Sequence, residues 1–579
     1  MRCPPLLTIL LFGWAVSMAG AADLTLALEL RWGATPLTVP SPEVKNDAGQ
    51  SLRLTRIAGI VSGVTLVRAD GGRVWLEGQY GYFDAETARE IRLQGVPAGD
   101  YVALEFQVGL PAAVNHGDPS RWPAGHALNP LTTGLHWNWQ GGYVFFALEG
   151  RWRDPSEVEE RGLLYHVATT ERAMALGFAA RFRVETATRI ALALDVSRIL
   201  RGRKLAGGDG SDSTHSSAGD PVAVQIAQAT ERAWFWLGAE EVAPKPVAVG
   251  RAQGGSASSH APAGEPLAFV VPEGFPQPEL PSDNPLTREG VALGRALFHD
   301  RRLSGNGTQS CASCHAPALG FSEARAVSIG AEGKIGRRNA MPLFNLAWSP
   351  AYAWDGGQRR VRDQSLAALR APIEMHGDPA VVAAALAADA EMAAAFRAAF
   401  GGGPTEERVG LALEQYLLTL VSADSKFDRA RRGEAELTPE EKRGLELFLT
   451  EYDPARGKRG ADCFHCHGGA LFTDYAFKNN GFVTRDRGRL DVTGALSDDG
   501  KFKTPSLRNV ELTAPYMHDG RLRSLEEVIA HYDHRVRRSP TLDPNLAKHP
   551  AEGLQLSRED QWALVAFLRT LTDEGLAAK

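Results

Sequence analysis

The hydrophobic period changes part-way along the chain. Up to about residue 200, apolar and polar positions alternate in short runs: Leu24-Thr25-Leu26-Ala27-Leu28-Glu29-Leu30, Arg73-Val74-Trp75-Leu76-Glu77 and Tyr101-Val102-Ala103-Leu104-Glu105-Phe106. A period of two turns one strand face to a core and the other to water. Gly-Asp, Gly-Gly and Pro-Ala-Gly turns separate such runs, which predicts an all-β, sandwich-like domain over 23–240. Pro221 to Leu237 reads as a single helix within it. From Pro272 onward the style differs. Long Ala/Leu/Arg/Glu stretches at 379–400, 436–450 and Asp560–Leu571 carry helical periodicity. The second half is therefore expected to be mainly α-helical, in two lobes over 266–435 and 436–579 that read as distant duplicates.

Residues 242–265 are rich in Ala, Gly, Pro and Ser, and the segment 241–265 reads as a linker. At the other end, Arg2, the apolar run Leu6–Val16 and Ala19-Gly20-Ala21 read as a signal peptide over 1–21. That run is shorter than the ~20 apolar residues a bilayer span needs. No later stretch reaches that length, so the expectation is an exported, periplasmic or secreted protein with no membrane span. A chain of 579 residues is too long for one core, and suggests about three or four domains of ~100–200 residues. The net charge of −6 gives no reason to expect a nucleic-acid partner.

Cysteine usage sharpens the picture. Of five cysteines, Cys3 lies in the signal segment and the other four form Cys311-Ala312-Ser313-Cys314-His315 and Cys463-Phe464-His465-Cys466-His467. In an exported chain, Cys-x-x-Cys-His attaches haem through two thioethers, and its His becomes the proximal iron ligand. Two covalently bound c-type haems are therefore expected, with His315 and His467 as proximal ligands. None of these cysteines is left over for a disulfide. Spacing does not separate an electron carrier from a peroxidase, because the residues on the distal faces decide that.

Around these motifs, residues 274–579 resemble the bacterial dihaem cytochrome c peroxidase and MauG superfamily. The resemblance rests on Leu293-Gly294-Arg295-Ala296-Leu297-Phe298, Arg338-Asn339-Ala340-Met341-Pro342, Trp354-Asp355-Gly356, Pro372-Ile373-Glu374-Met375, Lys503-Thr504-Pro505-Ser506-Leu507-Arg508-Asn509-Val510 and Ala514-Pro515-Tyr516-Met517-His518-Asp519-Gly520. It implies roles for single positions. Where peroxidases needing reductive activation carry a blocking His after Ser-Ile-Gly, this chain has Ala331, so the first haem should be open. Trp354 matches the tryptophan between the haems, although a core aromatic would look the same. Gln364 and Glu374 match the polar pair of the distal pocket, with Glu374 moving the proton in O–O cleavage. Asn339, Thr513 and Pro515 match the ligands of a calcium between the lobes; oxygen donors suit that ion. Tyr532 falls where peroxidases carry a distal Met and MauG a distal Tyr, with His531 as the rival. MauG also has a surface Trp two residues before its second haem motif. This chain has Ala461 there, which leaves the exit route for oxidising equivalents open.

The first half is similar to the copper-binding MbnP family through Asn115-His116-Gly117-Asp118-Pro119, Gly134-Leu135-His136-Trp137-Asn138-Trp139-Gln140-Gly141-Gly142-Tyr143, Phe146-Ala147-Leu148-Glu149-Gly150 and Leu164-Tyr165-His166-Val167. With no Cys available in this domain, a copper site would use imidazoles. His116 and His166 are the favoured ligands, then His136 and His126. In known systems MbnP is the substrate of MbnH, a MauG-like enzyme that converts a Trp to kynurenine. Trp137, Trp139 and Trp122 are the candidates here, each of which could equally be a core aromatic.

The resulting expectation is an enzyme fused to its own substrate: hydrogen peroxide as oxidant, and tryptophan oxidation in the copper-binding domain. Two alternatives stay open. One is a peroxidase that reduces hydrogen peroxide with cytochrome c electrons. The other is a copper-storage or copper-delivery protein whose haems only transfer electrons.

Overall fold

The structure is a computed structural model that describes residues 21–137, 142–206, 210–242 and 263–576. The signal segment, most of the linker and Trp139 lie outside the described residues. The strands used below are β1 (Ala21–Trp32), β2 (Ser51–Arg68), β3 (Glu90–Pro97), β4 (Gly99–Val108), β5 (His136–Trp137), β6 (Gly142–Arg153), β7 (Arg161–Ala168), β8 (Met174–Val184), β9 (Ala187–Asp195), β10 (Ser213–Thr214) and β11 (Trp234–Glu241). One sheet runs β11-β9-β1 with β3 also on β1; the other runs β8-β4-β2-β6-β7-β10. Alternation on β1 buries Leu24, Leu26 and Leu30 in a core shared with Leu54, Ile57, Phe145 and Phe146 from the second sheet. This is the β-rich domain that the period of two predicts.

One element differs from its sequence expectation. The helix expected over 221–237 ends early: α1 spans Pro221–Glu231, and the chain then enters β11. Local composition explains this. Trp234-Phe235-Trp236 are strand-favouring aromatics, and Trp234 packs edge-on against Phe83 and Phe106.

The second half is helical, as expected. Its first lobe contains α2 (Arg288–Phe298), α3 (Val361–Arg370) and α4 (Glu406–Leu418); its second contains α5 (Pro439–Leu449), α6 (Leu525–His534), α7 (Pro544–Ala547) and α8 (Arg558–Arg569). The start of α5 follows from Thr438 and Glu441, which form a reciprocal capping box with Pro439 at the first helical position. The 379–400 stretch is two helices, because Asp389 caps a second start by accepting from Glu391 and Met392. Among the described residues, no single helix is long and apolar enough to cross a membrane.

The sandwich docks on the second lobe through polar groups. Arg151 of β6 is buried, donates to Ser539 O at 2.8 Å and also bonds the Leu542 carbonyl. Arg456 reaches the Gly210 and Ser213 carbonyls and pairs with Asp220 at 3.2 Å. A side chain at Gly162 of β7 would collide with the Pro544 carbonyl of α7, so the backbones approach closely there.

That contact gives a first prediction. Gly162→Val should open the interface, since overpacking of this kind costs ~1–3 kcal/mol. Small-angle scattering should show a larger radius of gyration than for the wild type, with haem content unchanged. An unchanged radius would mean that this close approach does not hold the domains together.

Candidate functional site

In the first lobe, Cys311–Cys314 form one helical turn, fixed by the reciprocal Ser310 and Ser313 capping bonds. His315 Nδ1 lies 3.0 Å from the Phe321 carbonyl. That bond orients the ring and leaves Nε2 for iron. Burial holds the His315 imidazole below its usual pKa, which favours the neutral, ligating form. The backbone N–H of Ala331 donates to Glu374 O at 2.7 Å, so the alanine sits beside the expected proton donor. Burial chiefly raises the Cys311 and Cys314 thiols, and Glu374 is near enough to add to the rise. Loss of hydration in turn lifts its own carboxyl above the usual range, although the residue is exposed. Gln364 is half-buried on α3, whose C-terminal end anchors the Glu374 turn through Ala371 O.

In the second lobe, Cys463, Cys466, His467, Trp354 and Tyr532 line one large apolar cavity with Phe448, Leu564 and Leu568. His467 Nδ1 is 3.2 Å from Phe472 O, the same arrangement as at His315. Two thiols, an imidazole with Nε2 left over and apolar walls fit a covalently attached haem. Tyr532 faces this cavity from α6, and burial pushes its phenol up to about 12. The adjacent His531 is occupied elsewhere: Nε2 meets Asn480 O at 2.9 Å, and the ring stacks on Phe482 at 3.8 Å. Trp354 is buried between the lobes, its Nε1 donating to Asn339 O at 2.9 Å and its carbonyl accepting from Lys503 N at 2.8 Å. Asn339, Thr513 and Pro515 line the same cavity. The Asn339 amide nitrogen donates to Arg325 O and Ala326 O, which leaves its carbonyl oxygen for a cation.

The two halves of the chain meet at a histidine cluster. β7 and β10 run parallel with Tyr165 opposite Thr214. One residue further along each strand, His166 and His215 therefore come side by side, ring centroids 4.8 Å apart. The second lobe adds His465, 4.4 Å from His215. One ring nitrogen from each of the three lies within 4.8 Å of the others. Each ring is backed by a carboxylate. Glu149 Oε1 is 3.0 Å from His166 Nε2, Glu451 contacts His215 Nδ1, and Asp462 Oδ1 is 2.8 Å from His465 Nε2. His166 Nδ1, both ring nitrogens of His215 and His465 Nε2 are buried without a hydrogen-bond partner. Burial outweighs the neighbouring Glu451 and lowers His215 to about 3, so it is neutral at physiological pH. Asp462 is buried too, yet Lys548 and His465 hold its carboxyl well below the usual range.

Trp137 packs on this cluster, 5.9 Å from His166 and 5.8 Å from His215. Trp122 does not; it stacks on His126 at 4.4 Å, with Arg121 over its ring. Of the other expected copper ligands, His116 is exposed and outside the cluster. His136 sets its ring edge-on to Tyr143 at 4.5 Å and is also outside it. Sequence reasoning does not single out His215 or His465. His215 follows a two-residue strand with no motif around it, and His465 occupies a variable position inside a motif already assigned to haem.

Together these features define a two-haem c-type oxidoreductase carrying a β-sandwich with a metal-ligand cluster. A family model described as Di-haem cytochrome c peroxidase matches residues 288–436, and an MbnP model matches 21–216. Methylamine utilization protein MauG of Methylorubrum extorquens is 39% identical over 318 residues, covering 53% of this chain and 84% of that protein. Cytochrome c551 peroxidase of Pseudomonas aeruginosa is 31% identical over 301 residues, covering 50% and 80%. A solved MauG-like protein associated with microbial copper homeostasis is 35% identical, with a TM-score of 0.49 over 54% of this chain and 97% of its own. The chain belongs to the MauG and dihaem cytochrome c peroxidase family, with an MbnP domain in front.

Two outcomes follow from the ligand geometry. Tyr532→Phe should alter the low-spin electron paramagnetic resonance signal of the second haem, while His531→Ala should not; the reverse pattern would place the ligand on His531. With Ala331 in place of a blocking imidazole, the ferric protein should also show a high-spin signal from the first haem, and two low-spin signals alone would contradict an open first site.

Proposed function

We propose that this protein is an exported oxidase of the MauG type that uses hydrogen peroxide to oxidise a tryptophan of its own MbnP domain, and that this tryptophan is Trp137. The observation that carries the reading is the contact chain His465, His215, Trp137. It runs from the haem-attachment loop of the second lobe into the sandwich without a gap wider than an aromatic contact. It supplies a route that does not need the MauG surface tryptophan, whose place is taken by the buried Ala461. Trp122 lacks any such contact.

Haem, when bound, supplies peroxide reduction and stores the oxidising equivalents. The residues of the chain prepare that chemistry. His315 and His467 would each ligate a haem iron through Nε2, their Nδ1 atoms being held by backbone carbonyls. Ala331 leaves the first distal face free of a side-chain ligand, and Glu374, with its raised pKa, holds and returns the proton there while Gln364 completes the polar pocket. Trp354 connects the lobes. Tyr532 closes the second site, which favours electron transfer over peroxide binding. Asn339 with the carbonyls of Thr513 and Pro515 would hold calcium. The sandwich supplies the substrate and a copper site that uses His166.

Oxidation of Trp137 to N-formylkynurenine adds two oxygen atoms and consumes two hydrogen peroxide molecules, releasing two waters. Hydrolysis then removes the formyl group as formate and leaves kynurenine, a net gain of one oxygen and loss of one carbon. Peptide mapping of haem-loaded protein after peroxide should find these masses on the Trp137 peptide and not on the Trp122 peptide. Trp354→Phe should suppress the modification. Glu374→Gln should slow it by ~10²–10⁴-fold, the usual contribution of a positioned proton-transfer group. An unmodified Trp137, with rapid peroxide turnover by reduced cytochrome c, would instead establish the peroxidase reading.

A further inference from the structure

The histidine cluster is not contained in the sandwich. His166 and His215 come from it, but His465 comes from the loop between the two haem-bearing cysteines of the other domain. We propose that His166, His215 and His465 form a three-imidazole copper site shared between the sandwich and the second haem lobe, with His465 tying the bound copper to the second haem.

Three observations carry this. First, one nitrogen of each ring lies within 4.8 Å of the others, a spacing at which one ion can bind all three. Second, each ring has the outer support that metal-binding imidazoles use: a carboxylate at or near hydrogen-bond distance of one nitrogen, freeing the other to face a metal. The carboxylates come from three places, Glu149 on β6, Glu451 before the second haem motif and Asp462 immediately before Cys463. Third, His166 Nδ1, both ring nitrogens of His215 and His465 Nε2 are buried with no hydrogen-bond partner. Buried polar atoms in native proteins are normally satisfied, so orphaned nitrogens on all three adjacent rings point to a missing ligand. Lys548, 2.8 Å from Asp462 and 3.6 Å from Glu451, balances part of the negative charge behind the cluster.

Three imidazoles without thiolate or carboxylate in the first shell suit copper or zinc. The MbnP domain favours copper. The inference thus deepens the copper part of the proposed function and is independent of whether Trp137 is oxidised. Its consequence is redox contact. His465 is one residue from Cys466, a thioether anchor of the second haem. Copper held there would supply a one-electron centre whose ligand is joined through the backbone to the attachment of that haem.

The test uses the full-length, haem-loaded protein titrated anaerobically with Cu(I) against a competing chelator, beside His465→Gln, His166→Gln and His126→Gln. His465→Gln keeps the Cys-x-x-Cys-His motif, so haem attachment should survive. Wild type should bind one copper with three nitrogen neighbours by X-ray absorption. Affinity should fall at least ~10-fold in His465→Gln and His166→Gln, the lower end of what even an outer-shell loss costs, and hold in His126→Gln. Copper should shift the midpoint potential of the second haem in wild type and not in His465→Gln. Copper bound with wild-type affinity by His465→Gln, while His166→Gln loses it, would overturn the shared site and leave copper binding by the sandwich standing. Failure of wild type to bind copper would overturn both, as would zinc occupying the site with copper excluded. The three-nitrogen count on wild type does not depend on any variant folding.

Discussion

The arrangement depends on one contact, the docking of the sandwich edge onto the second haem lobe. Gly162 lets β7 reach the α7 backbone, and buried Arg151 and half-buried Arg456 satisfy carbonyls across the seam. A buried guanidinium left without partners is costly, so these contacts fix the register between domains as well as joining them. That register brings His166 and His215 onto the haem loop that carries His465. A shift by one strand residue would turn His166 to the opposite face of its sheet.

Electrostatics at the seam follow from that burial. Asp462, the residue before Cys463, is approached by His465, Lys548 and His549 at 2.8 Å each. One carboxylate therefore organises both the start of the haem motif and the back of the histidine cluster. The two sites share a support, so a change at one would be felt at the other. The first haem site is built separately: its Glu374 turn is pinned to Ala331 and to α3, away from the sandwich.

Much of this was legible in the sequence. The period of two gave away β1, the short strand Arg73–Trp75 and β4, and the doubled Cys-x-x-Cys-His motif declared its chemistry because a His follows each cysteine pair. The family resemblance also pointed to Tyr532, Trp354 and Asn339, which line one cavity. The histidine cluster was not legible. It depends on a parallel pairing between β7 and a two-residue strand, and on a contact between residues 250 positions apart in sequence, neither of which leaves a periodic trace. His116 looked stronger than His215 because it sits in a recognisable motif, yet it lies exposed. The helix overrun at 232–237 has a simpler cause: the small and apolar residues of α1 run directly into a Trp-Phe-Trp strand without a Gly or Pro between them.

We propose that the haem lobes and their tryptophan substrate lie in one chain and that the oxidation runs within it. The most direct measurement is the rate of Trp137 loss at saturating peroxide as haem-loaded protein is diluted over a wide range. Reaction within the chain predicts a first-order rate constant that does not change with protein concentration. A rate constant that falls in proportion to dilution would show that one molecule oxidises another, and would contradict the account.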